Sequence, residues 1–89
     1  MTIRYARRAL SQLASLHDYL RTRNPAAADK VTVSIANTIA RLLHLPMLGF
    51  PTDEEDVRVL IETEYLYRVF YRVQGTQVLV IRILHRAQQ

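Results

Sequence analysis

The sequence contains no cysteine, only two glycines and three prolines, and a single lysine among twelve basic residues. Without cysteine there can be no disulfide, no thiolate metal site and no thiol nucleophile, and a reducing compartment suits the chain. Gly49 and Gly75 are too few for a glycine-rich phosphate loop, and neither opens a helical pattern, which excludes nucleotide-binding signatures. No stretch approaches the roughly eighteen apolar residues of a membrane-spanning helix, and the N-terminus lacks an apolar run before a small-residue cleavage site. The expected setting is the cytoplasm, with no membrane partner. No two histidines have helical or hairpin ligand spacing, so neither a metal nor a cofactor is expected.

What is present fits a packed domain. The chain has 89 residues, 49% of them hydrophobic, enough for one two-layer core and one domain spanning 1–89. A formal charge of +4 favours an anionic partner, either nucleic acid or an acidic protein segment. The charge is unevenly placed. Four of the eight acids form the run Asp53, Glu54, Glu55, Asp56, whereas Val57 to Gln89 holds five arginines against two glutamates.

Ile3-Arg4-Tyr5 alternates as a short strand that needs a neighbour. From Ala6 to Arg23, the residues Ala6, Ala9, Leu10, Leu13, Leu16, His17 and Leu20 recur at helical spacing, with Arg8, Gln12, Asp18 and Arg21 facing elsewhere. Asn24-Pro25 should end that helix, and Asn24 is placed to cap the next. The second helix is expected from Pro25 to His44, with a stripe of Ala28, Val31, Ile35, Ile39, Leu42 and Leu43. Pro46, Gly49, Pro51 and the acidic run predict an exposed loop over Leu45 to Asp56. Strands follow over Val57–Glu62, Tyr67–Val73 and Val78–His85, with a hairpin turn at Gln74-Gly75-Thr76. Arg86 to Gln89 reads as a short frayed end. The fold class is therefore α+β: an N-terminal strand, an antiparallel helical hairpin, and a three-stranded C-terminal antiparallel sheet with the hairpin on one face.

The period of two puts Tyr67, Val69, Tyr71 and Val73 on one face of their strand and Arg68, Phe70 and Arg72 on the other. Arg58, Arg82 and Arg86 lie on or beside the flanking strands and would join a cationic surface if the register allowed. Two readings of these arginines stand: a surface gripping phosphates or acidic side chains through guanidinium groups, or solvated positions with their stems packed flat. A metal-free ribonuclease would need a base, a cation and a proton donor, for which His85, Arg58, Arg68 and Arg86, together with the tyrosines, are the candidates. His17 and His44 suit structural roles, on the apolar side of the first helix and near the end of the second. Tyr65, Tyr67 and Tyr71 read as core residues, with base stacking or a protein groove as the alternative.

The segments Leu16-His17-Asp18-Tyr19-Leu20 and Asn24-Pro25-Ala26-Ala27-Ala28, then Leu42 to Pro46 with Gly49, and Val57-Arg58-Val59-Leu60 carry a resemblance to a known family. Tyr67 to Val73 and Ile81-Arg82-Ile83-Leu84-His85-Arg86 complete it. Over essentially its whole length the chain resembles the RelE/ParE toxin superfamily, and its helical half is more similar to the ParE branch. That resemblance implies the toxin of a type II toxin–antitoxin, plasmid-stabilisation module that causes growth arrest. ParE-like members typically poison DNA gyrase without enzymatic chemistry. RelE-like members cleave messenger RNA on the ribosome, with Arg58, Arg68, His85 and Arg86 as the nearest matches here. A relative that only binds its antitoxin is the third possibility. Where many relatives continue with further arginines and an aromatic residue, this sequence has Ala87-Gln88-Gln89, and no lysine lies around Arg58. The implied partners are a cognate antitoxin, often in a heterotetramer, and operator DNA through that antitoxin alone. Arg58, Arg68, Arg72, Arg82 and Arg86 are the expected target-binding or anion-binding residues.

Overall fold

The computed structural model describes residues 1–87. Strand β1 is Thr2–Tyr5, followed by helices α1 (Arg7–Arg23) and α2 (Pro25–Ala40) and a single 3-10 turn, Arg41–Leu43. Strands β2 (Phe50–Pro51), β3 (Arg58–Glu62), β4 (Tyr67–Gln74) and β5 (Gln77–His85) complete the chain. All five strands form one sheet in the order β1-β5-β4-β3-β2, with β1 parallel to β5 and the other neighbours antiparallel. The α+β class and the helical hairpin follow the sequence pattern. The expected tail beyond His85 is described as far as Ala87, while Gln88 and Gln89 lie outside the described residues.

Asn24 does two jobs between the helices. Its backbone N–H closes α1 on the Leu20 carbonyl at 2.6 Å, and its side-chain oxygen accepts from the Ala27 N–H of α2 at 3.3 Å. Pro25 occupies the first turn of α2, where its missing N–H costs nothing. The stripe of α2 packs inward as expected at Ala28, Val31, Ile35, Ile39 and Leu42, but Leu43 is exposed. So is Leu10 of α1, where Ala9 makes the buried contact. Helix α2 stops at Ala40, short of the expected His44. The chain tightens into the 3-10 turn because Pro46 disfavours helical geometry at Leu45 and offers no N–H to continue the ladder.

The core lies between the helical hairpin and one face of the sheet, where Leu60, Val69, Tyr71, Val78, Val80 and Ile83 meet the α2 stripe. Each buried aliphatic side chain contributes about 1.5–3 kcal/mol relative to exposure. One expectation needs correction. The span 45–56 is not an irregular loop throughout: Phe50 pairs with Val59 and Pro51 with Arg58, adding an edge strand where a proline is tolerated.

Candidate functional site

The face of the sheet away from the helices is set by register. Row by row it carries Phe50, Val59, Phe70 and Arg82; then Ile61, Arg68 and Leu84; then Arg72, Leu79 and Arg4. A β-bulge makes this possible. Phe70 pairs with Arg82 but Tyr71 pairs with Val80, so Ile81 is an extra residue on β5. Strict alternation from the buried Val78 and Val80 would turn Arg82 toward the helices. The extra residue reverses the parity, burying Ile83 and bringing Arg82 onto the face of Arg68 and Arg72. The guanidinium of Arg82 lies 4.1 Å from the centroid of the Phe70 ring, and that of Arg68 lies 5.8 Å away.

Glu54, from the acidic run, reaches this face. Its carboxylate accepts from Arg82 Nη2 at 3.0 Å and stands 4.0 Å from Arg72 Nη2. The segment that holds it is a constructed turn: the Thr52 hydroxyl donates to the Val57 carbonyl at 2.8 Å and accepts from the Glu54 N–H at 3.2 Å. The Val57 N–H returns to the Glu54 carbonyl at 3.1 Å, and Asp56 takes a left-handed backbone with φ of 62°.

The other expected site residues fall elsewhere. Arg58 pairs across the ladder with Tyr71, on the helix-facing side, and donates to the Gly49 carbonyl at 2.7 Å and to that of Met47 at 3.4 Å. There it fastens the loop before β2. Tyr71 completes the fastening: its hydroxyl donates to the Pro46 carbonyl and accepts from the Gly49 N–H, each at 2.8 Å. A Cβ on Gly49 would stand 2.7 Å from the Tyr71 ring and 2.8 Å from the Val59 carbonyl, so only glycine fits. Tyr65 and Tyr67 pack at the margin of the core, consistent with the core reading of these rings. His85 faces the helical side, with its ring edge-on to Tyr67 at 5.0 Å between centroids. Arg86 follows β5, its N–H bonded to the Leu66 carbonyl at 2.9 Å. Arg58, Arg68 and His85 are therefore not gathered into one catalytic constellation. His17 ties the helices together through Asp29 at 3.1 Å, and His44 follows the 3-10 turn.

Sequence reasoning missed three residues. Glu62 is buried at the end of β3, where its carboxylate accepts from the Ser34 hydroxyl at 2.7 Å and from the N–H groups of Glu64, Tyr65 and Tyr67 at 3.0–3.2 Å. It holds the β3–β4 turn, including Leu66 at φ 69°, against α2. The signal was its parity: it shares the inward face with Leu60, where alternation calls for an apolar residue. Gln12, assigned to the outside of α1, accepts from the Ile83 N–H at 2.7 Å, on the part of β5 that β1 does not cover. Arg4 joins the outer face opposite Leu79. Beside Gln12, a cleft of about 420 Å³ opens between α1 and the ends of β4 and β5, lined by Ser15, Leu16, Tyr19, Tyr67, Ile83 and His85.

This architecture has close counterparts. The chromosomal ParDE toxin–antitoxin system of P. aeruginosa matches with a TM-score of 0.85 at 23% identity, over 96% of this chain and 95% of that one. The intact RelBE toxin–antitoxin complex of E. coli matches with a TM-score of 0.68 at 16% identity, over 98% of each chain. The RelBE2 toxin–antitoxin complex of Mycobacterium tuberculosis gives 0.65 at 23%, over 96% of each. A curated protein of Sinorhizobium fredii (strain NBRC 101917 / NGR234), "Putative toxin Y4kP", is 29% identical over 87 residues, 98% of this chain and 90% of that protein. The family model "ParE toxin of type II toxin-antitoxin system, parDE" matches residues 3–89. The chain thus belongs to the ParE toxin family of type II toxin–antitoxin systems.

Proposed function

We propose that this chain arrests bacterial growth by binding DNA gyrase through the outer face of its sheet, with Arg68, Arg72 and Arg82 as contact residues. A cognate antitoxin holds it inactive in the cytoplasm, as part of a plasmid-stabilisation module. The observation that carries this reading is the β5 bulge. It gathers arginines beside Phe70 on a face the helices leave open, while His85 is turned to the opposite face. Such a surface suits a protein interface better than general acid–base chemistry, which needs its base and cation within reach of one phosphate. The competing ribonuclease reading would rest on His85, Arg58, Arg68 and Arg86, of which Arg68 lies on the outer face while Arg58 and His85 lie on the helix-facing side.

The antitoxin belongs in the cleft between α1 and the end of β5. Its lining of Leu16, Tyr19, Tyr67 and Ile83 is apolar, and Gln12 and Ser15 offer polar anchors of the kind that fix an amphipathic segment. The ParDE and RelBE structures that share this fold are toxin–antitoxin systems, which supports an antitoxin partner here. The proposed assembly is a heterotetramer that meets operator DNA through the antitoxin alone. Pulse-labelling of DNA and protein synthesis within minutes of inducing the chain alone tests the target. An early fall in DNA synthesis is expected. An early fall in protein synthesis with DNA synthesis continuing would sink the gyrase reading, and no fall in either would identify a relative that only binds its antitoxin.

A further inference from the structure

We propose that Glu54 is a built-in competitor at an anion site formed by Arg72 and Arg82. The ligand that displaces it is an acidic side chain on a protein segment with apolar neighbours. The inference does not depend on which target the toxin strikes.

The site already holds the chemistry it would bind. Glu54 sits with one oxygen 3.0 Å from Arg82 and the other 4.0 Å from Arg72, so a carboxylate spans the two guanidinium groups. Arg82 is held in place before any ligand arrives, because its guanidinium lies on the Phe70 ring and its side chain is only 19% exposed. The occupant, in contrast, is 47% exposed and enters from a turn outside the sheet. It can swing away without disturbing the core, and the Thr52 and Val57 hydrogen bonds return it to the same place.

The surroundings select a protein segment over a nucleic acid. The Arg82 guanidinium lies over the Phe70 ring, whereas Phe50, 67% exposed, with Val59 and Ile61 forms an apolar border along β2 and β3. Asp53, Glu55 and Asp56 stand exposed beside the site and would repel a continuous polyanion. A segment with one well-placed acid between apolar residues needs only to exchange its carboxylate for that of Glu54.

An internal competitor lowers apparent affinity by the fraction of time the site is free. For a pair this exposed, removing it should tighten binding about three- to sixfold at physiological salt. The test uses the purified 15N-labelled full chain and two probes: an octapeptide of alternating leucine and glutamate, and the oligonucleotide (dT)8. Dissociation constants are read from amide and arginine Nε–H resonances. Glu54→Gln should bind the peptide three- to sixfold more tightly than the unsubstituted chain, with shifts at Arg72 and Arg82, and Arg82→Gln added to it should abolish the gain. Glu55→Gln makes the same change in net charge one residue away and should give no more than a minor gain. An equal gain in Glu55→Gln, no gain in Glu54→Gln, or no peptide binding to any variant would each overturn the proposal. Preferential tightening of (dT)8 would overturn the assignment to a protein segment.

Discussion

The phenol of Tyr71 has two partners, the Gly49 N–H and the Pro46 carbonyl, and both belong to a stretch without helical ladder bonds of its own. Tyr71→Phe keeps the ring's packing but leaves a buried N–H without a partner. It should cost about 1–3 kcal/mol, read as a lower urea midpoint at unchanged slope. Burial raises the phenol pKa of Tyr71 above the ordinary 10.0, partly opposed by the Gly49 N–H bond and the Arg58 charge. Tyr5 shifts upward through burial, and Tyr67 through burial with the Glu62 charge behind it. The folded state therefore binds these phenolic protons more tightly than the unfolded chain. Their contribution to stability is fully present below pH 10.0 and is lost as pH rises through the higher folded values. Urea unfolding should show a flat midpoint up to about pH 9.5 and a decline above it, shallower in Tyr71→Phe. Tyr71 was legible from sequence as a core residue by strand parity. Its hydroxyl partners were not, because they lie on a loop whose approach to the sheet depends on a missing Cβ at Gly49.

Among the elements, β5 departs furthest from simple alternation, and its bulge decides which side chains the molecule shows. Deleting Ile81 should remove the bulge without changing the faces: Arg82 would follow the inward Val80 directly, so regular alternation keeps Arg82 outside and Ile83 buried. In the intact sequence a regular strand would instead bury the Arg82 guanidinium without a partner, at a cost of about 3–5 kcal/mol, a large share of a small domain's stability. The deletion variant is expected to keep a cooperative thermal transition, and loss of that transition would refute the account. The helices were easier to read: Asn24-Pro25 marked their junction, and the α2 stripe gave its buried face, because a proline and a 3.6-residue period act locally. The two-residue β2 was missed because its pairing with β3 is a matter of tertiary approach, in a span rich in breakers. The arginine face was half legible. Arg68 and Arg72 share one strand and obey one period, whereas Arg58 and Arg82 depend on register and bulge, which a single sequence does not encode in any local pattern.

At the scale of the molecule, the sheet is closed at one edge by a strand from the opposite end of the chain: Thr2–Tyr5 beside Gln77–Val80. Ile3 and Tyr5 also pack against the core from this strand. Removing residues 1–5 should bare a run of unpaired β5 backbone next to apolar side chains, the arrangement that invites strand-to-strand association. The truncated chain is expected to elute as aggregate in size-exclusion chromatography with light scattering, under conditions where the intact chain does not. The α+β class needed only the order of local patterns to be recognised. The parallel partner of β1 was beyond them, since any strand edge would satisfy so short a segment.

That same pairing sets an order of events during synthesis. The helical hairpin is made early, but β1 has no neighbour until Gln77–Val80 has been translated, several seconds later at about 5–20 residues per second. Through that interval Val31, Ile35 and Ile39 lack the strands that will cover them. A nascent toxin therefore presents its helices to the cell before its arginine face exists, and a partner that recognises the helices has the first opportunity to bind.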